Sequence, residues 1–380
     1  MFKNKSLYGF LWITLYLVLI DIAVNIVFKF PDNPQKNPPS QLEGYFEYGR
    51  SIEGKFDKMA FAAKLQIDPT LGYGWLEGQP NDWLPSAPGK GKELVAVYGM
   101  SHTKLLGDAM AQITNKYLIR SICAPGAPVG WGYTAYDLDK EKHSAKVVIW
   151  GIMTDNVPFI GATLGAVIYF DLGHPYTFPR YYIEGEGLKA AFPPFMSLNG
   201  YKEYKNDKNK WREYQQWLEK HDEFYDPFIF KKGLADYSAL LRVIRRAYAQ
   251  ASHERDLGRV LTKDGFKTDS TEIATLRMMV EEFAESARRL NKIPIIYLIS
   301  NRGRGDHLYR ALKPSLEAKN IPYLSSHIIC PPDDPRAFKG DGHFVPEKDM
   351  ELAKEMISII EKELKKNQEN SIEGVNQPFR

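Results

Sequence analysis

The chain has 380 residues and only two cysteines, Cys123 and Cys330, set far apart. That scarcity excludes a multi-bridge disulfide framework, a single structural disulfide is possible but not implied, and the two cysteines lie in no metal-like spacing. Each is expected as a separate buried thiol, because Cys123 lies in one apolar run and Cys330 ends another. Charge of one sign is also lacking. Fifty Lys and Arg stand against 47 Asp and Glu, for a net +3, so there is no basic field of the kind a nucleic-acid partner requires. No internal repeat is present, which argues against a repeat architecture. The composition therefore points to neither nucleic acid nor a zinc site, and any partner must be read from local motifs.

What is abundant is less selective. Aromatic residues make up 13% of the chain, with 22 Tyr and 7 Trp. That composition suits carbohydrate or lipid contact and equally suits ordinary packing.

The N-terminus is more informative. "MFKNK" precedes "SLYGFLWITLYLVLIDIAVNIVFKF", an apolar run of about the 20 residues that cross a bilayer. It exceeds the apolar core of a signal peptide and lacks a small-x-small cleavage pattern after it. Residues 1–30 are thus expected to form an uncleaved single-pass anchor in the cytoplasmic membrane. Lys3 and Lys5 place its start on the cytoplasmic side and the body in the periplasm or outside the cell, although Lys29 follows closely. Asp21 interrupts the run. A carboxyl at that depth is either tolerated near the interface or meets a helix of another membrane protein.

Residues 31–90 are expected to hold a proline-rich tether, "KFPDNPQKNPPSQ" at its start, and then a docking helix with Tyr45, Gly49, Ile52 and Phe56 at helical intervals. From residue 91 to 366 the rhythm is α/β, with apolar strands "ELVAVY", "YLIRSICA", "AKVVIWGIM", "PIIYLIS" and "IPYLSSHII". Near-continuous apolar strands suit a parallel sheet covered by helices. The rhythm breaks between about residues 157 and 270, an insertion with a hairpin at "GEG" and a charged, aromatic, mostly helical stretch. In the helix that follows, Ile273, Leu276, Met279, Val280, Phe283, Ala287 and Leu290 form one apolar face. Residues 367–380 read as a polar tail.

Two positions carry chemistry. Ser101 follows the first strand and opens a helix, so its hydroxyl can cap that helix or stand as a nucleophile raised above the sheet. Near the last helix, "FKGDGHFVPEKDMELAKEM" puts Asp341 two residues before His343, a spacing that lets a carboxylate set the tautomer of an imidazole. Alone, Asp-Gly is also a common turn.

Their order along the chain resembles the SGNH/GDSL hydrolase superfamily. The usual "GDS" block appears as "GMS" (Gly99, Met100, Ser101), and the terminal block as "GDGHFVPEKDMELA". The resemblance extends over roughly residues 93–362 outside most of the insertion. "TFPRYYIEGEGLKAAFPP" further resembles a hairpin of a membrane-anchored, largely uncharacterised branch. It implies a three-layer flavodoxin-like fold with a parallel central sheet. It also implies a Ser101–His343–Asp341 triad, with an oxyanion hole from the amides of Ser101 and Gly126 and the side chain of Asn156. Gly130 is an alternative to Gly126. The "GxND" block is not present as such: in "WGIMTDNV" Asn156 lies five residues after Gly151, which requires the strand to extend to "TDN". Asp155, acceptor-only when ionised, cannot replace Asn156 as donor.

His102 is expected to point away from the acceptor of Ser101. His174, His253 and His307 are expected on the surface or in a lid. Arg302 and Arg304, in "NRGRGD", read as a solvated loop or as contacts to an anionic substrate. The resemblance implies acyl transfer that needs no metal or organic cofactor, and with the anchor the leading reading is a membrane-anchored serine esterase that removes O-acyl groups from an envelope or secreted polysaccharide; a lysophospholipase or thioesterase acting on a lipid ester also fits the anchor. The same triad serves a polysaccharide O-acyltransferase, and an inactive scaffold that binds carbohydrate is the third possibility.

Overall fold

The computed structural model of the protein describes residues 3–31, 37–64, 74–77, 84–171 and 176–375. Three helices come first: α1 (Lys3–Val27), α2 (Gln41–Tyr48) and α3 (Ile52–Lys64). Then follow β1 (Glu93–Met100), α4 (Ser101–Ile113), β2 (Tyr117–Ala124), α5 (Val129–Asp139) and β3 (Val147–Met153). The insertion holds α6 (Gly165–Ile168), the hairpin strands β4 (Arg180–Glu184) and β5 (Gly187–Ala191), then α7 (Leu198–Asn206), α8 (Lys208–His221), α9 (Pro227–Phe230) and α10 (Ala239–Val260). It ends on a second, short hairpin, β6 (Leu261–Thr262) and β7 (Gly265–Phe266). The α/β rhythm resumes with α11 (Thr271–Arg289), β8 (Ile293–Ile299), α12 (His307–Ala318), β9 (Tyr323–Ser325) and α13 (Pro346–Val375).

The central sheet runs β2-β1-β3-β8-β9 with every pair parallel, the flavodoxin-like order. All seven residues of β3 and all seven of β8 are buried, whereas edge strand β2 alternates, as expected where helices cover both faces of the inner strands. Adjacent residues of β1 show the two faces. Val97 lies under Gly107 of α4, and the Tyr98 ring meets Tyr136 of α5 at 5.6 Å. On the first face α4 packs against α13; on the second, Tyr136 meets Phe283 of α11 at 4.6 Å. Pro294 is tolerated inside β8 because pairing with β9 begins only at Ile296, so no ladder bond is lost where its N–H is missing.

The insertion builds its own aromatic core. Phe56 of α3 sits edge-on to Tyr201 at 5.0 Å, and Trp211 and Phe230 stack at 6.2 Å. These rings are buried, so much of the aromatic content is packing.

Several expectations are corrected here. The single docking helix is two, α2 and α3, broken at Gly49: a Cβ there would lie 1.8 Å from the carbonyl oxygen of Arg242, so the chain must turn where it passes α10. The N-terminal helix α1 is not held apart from the body. Asp21 Oδ1 accepts the Leu240 N–H at 2.9 Å, Arg242 Nη2 donates to Asn25 Oδ1 at 3.2 Å, and the Phe28 and Phe46 rings meet at 5.8 Å. Asp21 therefore has a partner within its own chain. The tail is helical as far as Val375, continuing α13. β3 ends at Met153 and the chain leaves the sheet in a 3-10 turn, Thr154–Phe159, so the strand does not extend to Asn156. Both cysteines are free; Cys330 is buried and Cys123 half-buried.

One polar cluster is sealed in the body. Arg120 of β2 donates to both oxygens of Asp139 at 2.7 and 2.6 Å, and the Tyr98 hydroxyl donates to the same carboxylate at 2.9 Å. Burial lowers the His143 pKa to about 4, so its ring is neutral. Its Nδ1 accepts from Ala145 N–H, which leaves Nε2–H to donate to the Tyr98 oxygen at 2.8 Å. Removing the carboxylate would strand a buried guanidinium. Asp139→Ala is expected to cost about 3–5 kcal/mol in urea unfolding, although the residue is remote in the fold from Ser101; a loss under about 1 kcal/mol would show that water replaces it.

Candidate active site

Strand β1 is central in a way that creates the site. Its first crossover leads to β2 on one side and the next returns to β3 on the other, so chain direction reverses at the carboxyl ends of β1 and β3, where such folds bind ligands. Ser101 follows β1, and Asn156 lies in the 3-10 turn after β3.

Ser101 is the first residue of α4. Met100 holds the N-cap position, in extended conformation, and no side chain caps the helix. The capping role is thereby removed for Ser101. Its backbone N–H belongs to the first turn, whose donors have no intrahelical acceptor. The hydroxyl lies 2.7 Å from Nε2 of His343, a residue 242 positions away in sequence. His343 Nδ1 stands 3.2 Å from Asp341 Oδ2, and its backbone N–H donates to Asp341 Oδ1 at 3.1 Å. That amide bond is the chief reason the Asp341 carboxyl titrates below its usual range. With Asp341 ionised, Nδ1 carries the proton and Nε2 faces the serine hydroxyl as acceptor.

The loop bearing His343 is held from both ends. Lys339 N–H donates to the His343 carbonyl at 2.6 Å, and Phe338 and Phe344 pair across it with rings 5.3 Å apart. His102 adds a contact that sequence reasoning missed. Instead of turning away, its ring stacks on that of His343 at 4.7 Å and 17°. Its Nε2 reaches the Gly342 carbonyl at 3.4 Å. Burial, and next the proximity of His343, lower the His102 pKa to about 4, so it is an uncharged plate behind the imidazole. Adjacency to Ser101 was the sole signal for it.

Asn156 is buried. Its Nδ2 donates to Ala127 O at 2.9 Å and lies 3.8 Å from Met100 Sδ; its Oδ1 accepts from the Tyr169 hydroxyl at 3.4 Å. It is thus held between the end of β1 and the loop after β2. In that loop Gly126 has φ +60°, and a Cβ would lie 2.4 Å from the Tyr169 ring, so both the left-handed turn and the close ring require glycine. Gly130 sits inside α5, away from the loop turn. Asp155 is paired: Arg304 Nε donates to its Oδ1 at 2.8 Å, and burial raises its pKa. Arg304 is thereby engaged, while Arg302 is exposed.

The remaining histidines are dispersed. His253 stacks on Phe159 at 4.6 Å and lines a cavity of about 180 Å³ with Tyr169 and Val167. His307 is buried and in contact with Arg310 at 2.8 Å. His174 lies outside the described residues.

No family model matches the chain, and no curated protein matches it. A crystal structure of a putative acylhydrolase from Bacteroides fragilis aligns with 76% of this chain and 98% of that one, at 12% identity and a TM-score of 0.38. An overlap that slight says nothing of activity, and the chemistry rests on the side chains themselves.

Asp349, on the first turns of α13, has its pKa raised to about 6 by burial, against the pull of Lys339 and His343. A carboxyl raised in the fold contributes its full stability below its unfolded pKa, near 3.8, and loses it as pH rises through about 6. Asp349→Asn is therefore expected to be more stable than wild type at pH 8 by about 1–3 kcal/mol, the difference closing toward pH 4. Urea midpoints across that range measure it; a variant less stable at pH 8 would mean that the ionised carboxylate is needed.

Proposed function

We propose that this protein is a membrane-anchored serine hydrolase of acyl esters, of the SGNH type, acting outside the cytoplasm on O-acyl groups of an envelope polysaccharide or a related ester. The observation that carries this reading is the 2.7 Å contact between Ser101 Oγ and His343 Nε2, with Asp341 on the far side of the imidazole. A second support is the placement of Asn156 and Gly126 at the same switch point. The anchoring part of the reading rests on α1, whose residues Leu7–Val27 are long and apolar enough to cross a bilayer and are not buried by the body.

In this mechanism Ser101 Oγ attacks the ester carbonyl while His343 Nε2 takes its proton, and Asp341 stabilises the imidazolium that forms. The carbonyl oxygen becomes an oxyanion beside the amides of Ser101 and Gly126 and the Asn156 side chain. One Asn156 hydrogen is committed to Ala127 O; the other is directed at Met100 Sδ at 3.8 Å, a weak acceptor from which an oxyanion would draw it. The positive end of α4 favours the same charge. His343 then returns its proton to the leaving alkoxide, and water activated by the same nitrogen releases the acid. A sugar hydroxyl in place of that water makes the reaction a transfer, distinguished by whether free acid or a new ester accumulates.

Ser101→Ala is expected to abolish labelling by a fluorophosphonate probe and hydrolysis of short acyl esters, while shifting stability by no more than about 0.5 kcal/mol, since the hydroxyl caps nothing. His343→Ala should match it, and the double variant should be hardly slower than either, because such groups act as a unit. Additive losses, or an adduct on another serine, would remove Ser101 from the centre of this reading.

Asn156→Ala is expected to lower kcat by about 100-fold or more, with the fold retained by circular dichroism. An equal loss in Asp155→Ala with Asn156→Ala silent would instead assign the role of the "GxND" block to the Arg304-paired carboxylate.

A further inference from the structure

The anchor and the body meet at the start of α10, and the surface around that contact is apolar. Leu234 is 86% exposed, Tyr237 72%, Leu241 41% and Ile244 57%. Leu241 and Ile244 share one face of the helix, and Leu234 and Tyr237 lie in the turn before it. We propose that this surface contacts lipid, seating the body on the same bilayer that α1 crosses; the inference rests on the reading of α1 as a membrane span.

Depth is what assigns lipid to the surface. A hydrocarbon layer of about 30 Å takes about 20 helical residues at about 1.5 Å each. Counted from Leu7, the first residue of the apolar span, that length ends near Ile26. Asp21 then lies about 8 Å inside the layer. Its carboxylate accepts the Leu240 N–H at 2.9 Å, and Asn25 binds Arg242 at 3.2 Å. The first turn of α10 is therefore drawn to the level of residues 21–25, below the point where α1 leaves the hydrocarbon. Whatever surrounds α1 there surrounds Leu241 and Ile244 as well.

Asp236, Arg242 and Arg245, the charged groups at the start of α10, are turned inward, as a lipid-facing surface requires. Arg242 is 5% exposed and donates to Phe46 O and Asp236 O at 2.8 Å each. Asp236 is 1% exposed and receives Ser51 Oγ at 2.8 Å and Arg245 Nη1 at 3.0 Å. The Asp21 carboxylate lies on the positive end of α10, a favourable place for it. What faces outward is Leu234, Tyr237, Leu241 and Ile244, preceded by the exposed Lys231 and Lys232, and both a tyrosine and long cationic side chains suit the headgroup level.

The consequence for the site is a fixed height. From Leu240 to His253 along α10 is about 20 Å, and His253 stacks on Phe159, the last residue of the 3-10 turn that carries Asn156. A helix with one end in lipid and the other beside the site holds it close to the membrane surface, so the substrate class is an ester presented there.

Full-length protein in lipid nanodiscs tests this, with Cys123→Ser as background and one fluorophore-labelled cysteine at a time. Ile244→Cys and Leu234→Cys report the surface, Leu15→Cys the middle of α1, and Arg259→Cys the far end of α10. The labels at 15, 234 and 244 are expected to lose most of their emission to lipids carrying nitroxide on the acyl chain and to resist aqueous iodide, with the reverse at 259. Quenching by nitroxide lipid at 15 but only by iodide at 234 and 244 overturns the lipid surface and leaves the span standing. Protection at 234 and 244 from both quenchers overturns it in favour of a covering protein. No lipid quenching at 15 removes the span and the proposal with it.

Discussion

The double-sided pairing of β1 is the constraint on which the rest depends. Because β1 bonds in parallel to β2 on one edge and β3 on the other, the two crossovers must leave in opposite directions, and a gap opens above their carboxyl ends. Every candidate group reaches that gap from a different connection: Ser101 directly after β1, Gly126 after β2, Asn156 after β3, His343 and Asp341 after β9. None of these loops approaches another in sequence. The sheet register aligns them, since Met100 is paired with Ala124 and β3 ends alongside β8 at Ile299.

The imidazole depends on a second layer of contacts. His343 sits on an exposed loop, and its carboxylate partner is itself largely in water, with the Asp341 side chain 66% exposed. An exposed ion pair contributes little rigidity by itself. Orientation comes instead from the neutral His102 plate, the Phe338–Phe344 pair beside it and the amide bond to Asp341. A buried uncharged ring is the suitable neighbour, because a second cation there would oppose the imidazolium of the proposed mechanism.

The helix α10 joins the two halves of the protein. At its start it binds the end of α1 through Leu240 and Arg242; farther along it reaches Gly49, Asp171 and finally the turn that carries Asn156. Arg242, Arg245 and Arg246 all point inward to carboxylates or carbonyls. The insertion is therefore a strut between α1 and the candidate site, with these three arginines of α10 turned into the body.

The sequence by itself determined the α/β class and the parallel sheet, because fully buried strands read as unbroken apolar runs. It also determined the hairpin at Gly185 and the apolar N-terminal helix. Local pattern was enough for each, since strand and helix periodicity are short-range properties. Only the tertiary structure decided the rest. Whether Ser101 caps α4 or faces His343 turns on a contact across 242 residues. The stacking of His102, the pairing of Asp155 with Arg304 and the break at Gly49 each depend on a distant segment. Asp21 shows the difference most clearly: a lone carboxylate in an apolar run gives no hint of its partner, and the fold supplies one in the first turn of α10, 219 positions away.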